Sequence, residues 1–153
     1  VERNGAAEQR ERLVEGLRAY GAEFTELGRR FATVLGVHAT DAFALLEIAT
    51  AQQRGAPLSP ARLGRRIALS SGAMTALLDR LEEAGHLTRT REAADRRMVT
   101  LRIHDRAKRL ADDFFEPVNA RQDAVLNDYP PELLAEFENL IARLRSAMDP
   151  DAE

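Results

Sequence analysis

Three histidines, His38, His86 and His104, stand in the 153 residues without the spacing of a metal site, cysteine is absent, and neither a glycine-rich phosphate loop nor a nucleophile elbow occurs. Catalysis needs converging reactive groups. The sequence therefore argues against an enzyme and calls for no metal and no cofactor. The polar groups that remain suit recognition instead. The run Ser70-Ser71-Gly72-Ala73-Met74-Thr75 gathers hydroxyls and small side chains. Hydroxyls bond phosphate or base edges, small residues admit close approach of a backbone, and a helix that begins here turns the positive end of its dipole toward phosphate. Of the 22 basic residues only Lys108 is lysine, and arginine is the side chain that makes forked contacts to phosphate and base edges.

Such residues act only if elements hold them. Leu13, Leu17, Tyr20, Phe24, Leu27, Phe31 and Val34 step by four and three, a heptad seam on a long first helix. Gly16, Gly21 and Gly28 weaken that helix, so it calls for packing from another element or another subunit. The seam suits a dimer interface, and an ordinary core-facing helix of a monomer is the alternative that this segment leaves open. After Gly36, Thr40 is placed to cap a second helix to about Gln53, with Asp41 in its first turn and Phe43, Leu45, Leu46 and Ile48 inward. Ser59-Pro60 opens a short third helix through Ile67, with Leu63 and Ile67 inward. Ser70 or Ser71 caps a fourth, which reaches about Ala84 and stops at Gly85, with Ala73, Leu77, Leu78 and Leu81 inward. Ser71, Gly72, Thr75, Ala76 and Asp79 then form its open face.

From Met98 to His104 the period changes to two, with Val99, Leu101 and Ile103 alternating with Thr100 and Arg102. His86 to Arg91 reads as the antiparallel partner, and Glu92 to Arg97 as a charged tip. A long helix follows from Asp105 to about Asn127, with Pro117 placed to kink it, and Pro130-Pro131 precedes a last helix bearing Leu133, Phe137, Leu140, Leu144 and Met148. The fold class is mainly α with a small β-hairpin: a winged helix-turn-helix over residues 37–104, flanked by helical regions 1–36 and 105–148. In that module a short helix braces a second whose N-terminal end enters the major groove, while the hairpin reaches the backbone or the minor groove. Ser59, Arg65, Arg66, Ser70 and Thr88 are the phosphate candidates, and Ser71, Gly72, Thr75 and Ala76 the groove-facing ones. Arg65 and Arg66 cannot both face the duplex squarely, and Arg80 is expected in an intramolecular ion pair.

The net charge of −3 conceals opposite blocks. Residues 62–109 hold twelve Arg and Lys against six Asp and Glu, whereas the remainder holds ten against nineteen. The basic charge therefore sits on the winged-helix segment. Apolar residues at 44% and charged residues at 31% fit a soluble helical protein, no apolar run is long enough to span a bilayer, and the polar start carries nothing that marks it for export. The expected location is the cytoplasm.

The run from Leu69 to Leu87, with Arg89, Asp95-Arg96-Arg97 and Val99 to Ile103, resembles the signature region of MarR-type regulators, most densely over residues 59–110. The flanking helices agree in number, order and length. The resemblance implies a homodimer whose first and last helices interlock, so that regions 1–36 and 105–148 form a helical dimerisation domain, with Leu13, Leu17, Tyr20, Leu133, Phe137, Leu140 and Leu144 as interface residues. It implies that Asp95 orients the hairpin tip through a bridge to Arg97, and that Arg96 or Arg97 enters the minor groove of double-stranded DNA. It also implies that a small aromatic effector is sensed near the second helix, where His38 and Asp41 lie; a helix-start capping pair is the plainer reading of those two. Ala76 departs from the pattern, since related sequences often place a longer polar or basic side chain there, so direct base readout by this helix is expected to be sparse. Repression at a pseudo-palindromic operator is the implied activity. A winged helix used for protein contacts and a non-specific architectural DNA binder are the competing readings.

Overall fold

A computed structural model describes residues 2–92, 94, 95 and 97–148. In chain order the elements are α1 (Glu2–Leu35), α2 (Ala39–Gln53), α3 (Pro60–Ile67), α4 (Ser71–Glu83), β1 (Leu87–Arg91), β2 (Val99–Ile103), α5 (Asp105–Leu126) and α6 (Pro131–Ser146). The chain is mainly helical with a two-stranded antiparallel hairpin, as its periodicities predict. No single helix among the described residues is long and apolar enough to cross a membrane.

Two compact units divide the chain, Val1–Asp112 and Asp113–Glu153. The first unit holds the core. Phe31, Leu45, Ile48, Leu63, Leu81, Leu101 and Ala107 are wholly inaccessible, which ties α1, α2, α3, α4, β2 and the start of α5 into one apolar centre. Glycine sets the closest approach within it: a methyl group on Gly28 of α1 would stand 2.3 Å from Cε1 of Phe43 on α2. Only hydrogen at that position lets the ring lie against the helix.

Helix boundaries follow local chemistry. Gly36, Gly55 and Gly85 take positive φ just beyond α1, α2 and α4, where a left-handed residue ends a helix cheaply. Ala68 does the same after α3 at φ 50° without glycine's freedom, which strains the turn into α4. Two expectations need correction. Thr40 does not cap α2; the cap falls two residues earlier, at His38, with no side-chain cap bond, and the helix starts at Ala39. In α4 the inward residue of the first turn is Met74, not Ala73, because Met74, Leu77, Leu78 and Leu81 complete a three-four stripe while Ala73 is exposed.

The strands pair from Leu87 opposite Ile103 to Arg91 opposite Val99. Leu101 and Ile103 are buried as alternation requires, and Thr100 is buried too because Glu92 folds over it. The Leu58 carbonyl accepts the Leu101 amide at 2.8 Å, and the Gln52 side chain accepts that of Ile103 at 3.0 Å. The hairpin is thus bound to the end of α2 and the segment after it.

In the second unit, the end of α5 and all of α6 contain no buried residue. Val125, Tyr129, Leu133, Phe137 and Leu140 are exposed. α5 runs through Pro117 without a break.

Candidate DNA interface

The short helix and its successor begin in the same way. Ser59 precedes Pro60 and its hydroxyl oxygen accepts the Arg62 amide at 3.3 Å; Ser70 precedes Ser71 and accepts that of Ala73 at 3.3 Å. Each serine satisfies one orphan amide of a helix start and keeps its hydroxyl proton to donate outward. Beyond Ser70, the side chains Ser71, Thr75, Ala76 and Asp79, with Gly72, lie on the exposed side of α4, opposite the Met74, Leu77, Leu78 and Leu81 stripe. Thr75 spends its proton on the Ser71 carbonyl at 2.9 Å and offers the face only an acceptor.

Ion pairs fix where this helix points. Asp41 of α2 is 1% exposed, and its two carboxylate oxygens accept from Arg80 Nη2 at 2.8 Å and Nε at 3.1 Å. This is the intramolecular pairing expected of Arg80. The hydrogen bond to Asp41 raises the guanidinium above its ordinary pKa. On the flank of the open face, Arg89 of β1 reaches Asp79 at 2.6 Å and Glu82 at 3.4 Å. The hairpin and the open face of α4 are therefore neighbours.

On α3, Arg66 is held by Glu47 of α2 at 3.1 Å, whereas Arg65 is exposed with no ion pair among the described residues. Only one of the pair is uncommitted, in keeping with the incompatible directions of adjacent helical side chains. Thr88 is exposed on β1, its hydroxyl 3.5 Å from the Arg102 carbonyl.

The hairpin tip is built by short-range bonds. Asp95 Oδ1 accepts the Arg97 amide at 2.9 Å, its carbonyl accepts the Met98 amide at 2.9 Å, and the Glu92 amide donates to the Met98 carbonyl at 3.0 Å. The link from Asp95 to Arg97 goes to the backbone and not to the guanidinium, a correction to the bridge expected from the resemblance. An aspartate that caps its own turn sets the loop geometry and leaves the arginine head unspent. Arg97 is exposed. Arg96, the other tip candidate, lies outside the described residues.

His38 is exposed at the start of α2, and since Asp41 faces Arg80, the two do not form the capping pair that their spacing suggested. Several positioning residues escaped the sequence reading. His86 is buried with Nε2 3.2 Å from the Leu35 carbonyl oxygen, which pins the end of α1 to the start of the hairpin. Glu92 accepts from Thr100 Oγ1 at 2.8 Å and Arg102 Nη2 at 3.4 Å. Only the alternation of signs around residues 79–92 hinted at such pairings.

A short capped helix, a second helix with an open polar face, and a hairpin on its flank define a winged helix-turn-helix protein. Residues 35–98 match the model of the MarR family. The chain is 28% identical over 151 residues to an uncharacterized HTH-type transcriptional regulator, YcgE, of Bacillus subtilis (strain 168), covering 99% of this chain and 96% of that protein. A MarR family protein from Bacillus stearothermophilus superimposes with a TM-score of 0.63 at 22% identity, over 92% of this chain and 96% of its own. NadR, solved in complex with 4-hydroxyphenylacetate, gives 0.61 at 22% identity over 86% and 89%. Over residues 35–98 the chain matches the MarR family model, and along nearly its whole length it is similar to a curated HTH-type transcriptional regulator.

Proposed function

We propose that the chain is a sequence-specific DNA-binding repressor that acts as a homodimer on a pseudo-palindromic operator. The observation that carries this reading is the Arg89–Asp79 bridge at 2.6 Å, which sets the hairpin beside the open face of α4. A groove-entering helix and a flanking hairpin must share one side of the molecule to follow a double helix. Ser71, Gly72, Thr75 and Ala76 face the major groove in this reading. Ser59, Arg65, Ser70 and Thr88 meet phosphates, Arg66 does so only after leaving Glu47, and Arg97, its backbone set by Asp95, enters the minor groove. Arg96 shares that assignment by its place at the tip. A narrow groove with enhanced negative potential favours an inserted arginine.

Residues 37–104 contact DNA, and residues 1–36 and 105–148 join the subunits. Support for the dimer comes from the second unit: the end of α5 and the whole of α6, which have no buried residue, are marginal in water by themselves, since helical stability comes mainly from packing an apolar face. On α1, Leu13, Tyr20 and Phe24 are also exposed, and Leu17 is half-buried. A second copy covers these residues together with Leu133, Phe137, Leu140 and Leu144. A dimer on a promoter excludes polymerase, so repression is the simplest consequence of binding. A small aromatic effector sensed near the start of α2 is the proposed release signal, supported by the ligand held by NadR; of the two expected contacts His38 is exposed there, while Asp41 is buried against Arg80. The protein works in the cytoplasm and on no membrane in this reading.

Arg97→Ala tests it. Operator affinity should fall while light scattering still reports a dimer; unchanged affinity rejects the hairpin's role. Affinity that falls steeply with added salt is expected of phosphate neutralisation, and a salt-insensitive interaction would point to protein contacts instead.

A further inference from the structure

The open face of α4 carries no basic side chain: its charged residues are Asp79 and, nearer the C-terminal end, Glu82 and Glu83, and their sign is wrong for phosphate. Asp79 lies one turn beyond Thr75 with 63% of its side chain exposed, bonded at 2.6 Å to Arg89, which is 32% exposed. Glu82, also on α4 and 48% exposed, approaches the same guanidinium at 3.4 Å. Two carboxylates against one guanidinium leave this cluster one unit negative, at the edge between the helix and the hairpin. Nearer its N-terminal end the face offers hydroxyls and small groups: Ser71, Gly72, Thr75 and Ala76. Asp79 is therefore the first charged side chain met along that face from its N-terminal end, it only accepts hydrogen bonds, and Arg89 fixes its direction.

We propose, on the DNA-binding reading given above, that Asp79 is a specificity-determining residue that works by repulsion. It keeps Arg89 from the phosphate backbone and sets a negative charge on the surface that approaches the duplex. Most of what that surface meets on arbitrary DNA is acceptor: phosphate oxygens, guanine O6 and N7, thymine O4. Binding there is penalised. The penalty is offset only where an amino hydrogen, of cytosine N4 or adenine N6, faces the carboxylate. Specificity of this kind comes from what is disfavoured as much as from what is held, which suits a recognition helix with few groups for direct readout.

The test compares wild type, Asp79→Ala and Arg89→Ala on a labelled duplex of random sequence and on a site enriched by the wild-type protein from a random pool, across a salt series. Asp79→Ala should bind the random duplex roughly three- to tenfold more tightly, with a salt slope steeper by about one, as the cluster loses its excess negative charge and Arg89, then held by Glu82 alone, turns to a phosphate. Its preference for the enriched site should shrink. Arg89→Ala, which leaves both carboxylates bare, should bind the random duplex more weakly than wild type. If the bridge only braced the hairpin, both substitutions would weaken binding alike, and that result, or unchanged discrimination in Asp79→Ala, overturns the proposal. A wild-type protein that binds no duplex defeats the DNA-binding reading itself and is distinguished by failing before any variant is compared.

Discussion

Gly28 and Phe43 show how one residue governs the approach of two helices. Alanine would favour the helix by about 1 kcal/mol, but its methyl would meet the Phe43 ring at 2.3 Å, and overpacking of this kind costs about 1–3 kcal/mol. Gly28→Ala should therefore lower the urea midpoint, and a second change, Phe43→Leu, should recover part of the loss. In the sequence, Gly28 reads only as a weak spot in a helix, because the ring it accommodates is 15 residues away. The Asp41–Arg80 pair makes an asymmetric prediction. Asp41 is buried and Arg80 has 48% of its side chain in solvent, so Arg80→Ala strands a carboxylate in the core while Asp41→Ala leaves a guanidinium that can rehydrate. Thermal melts should rank Arg80→Ala as the more damaging change. The residue types announced an ion pair for Arg80; that its partner is the Asp41 that looked like a capping or ligand group is a matter of tertiary geometry, which no local signal encodes.

Helix starts and stops were the most legible elements. Ser59-Pro60, Ser70 and Gly85 mark the ends of α3 and α4 where the structure has them, because capping chemistry is local. Thr40 misled for the complementary reason: the turn at Gly36 ends so tightly that α2 begins before a capping side chain is available. The placement of Ala73 inward erred because a small residue suits either side of a helix, whereas Met74 beside Gly64 fills the core. Ser70 allows cap and contact to be separated. Ser70→Ala should cost about 1 kcal/mol of stability, and Ser70→Gly only a few tenths; a phosphate contact from its hydroxyl would make both weaken DNA binding equally. Urea titration and DNA titration of the two variants decide this.

At the scale of the molecule, the heptad seam of α1 turned out to be mostly uncovered. Phe31 is buried and Gly28 lies against Phe43, but Leu13, Tyr20, Phe24 and Val34 are exposed, so the core of the first unit covers only part of the seam. Exposed apolar stripes on α1 and α6 call for a partner. Replacing Leu133 and Phe137 with aspartate should convert the protein to a monomer by light scattering and abolish tight operator binding, since half-sites are held jointly. Periodicity in the sequence marks such stripes but does not say which copy of the chain covers them. The charge reading has the same limit: the basic block at residues 62–109 is visible by counting, while the commitment of Arg66, Arg80, Arg89 and Arg102 to internal carboxylates is not.

Selection of bound sites from a random duplex pool by the purified protein bears most directly on the whole account. It should enrich an inverted repeat whose half-sites lie about one helical turn apart. Failure to enrich any sequence, or enrichment of a lone unrepeated element, would contradict it.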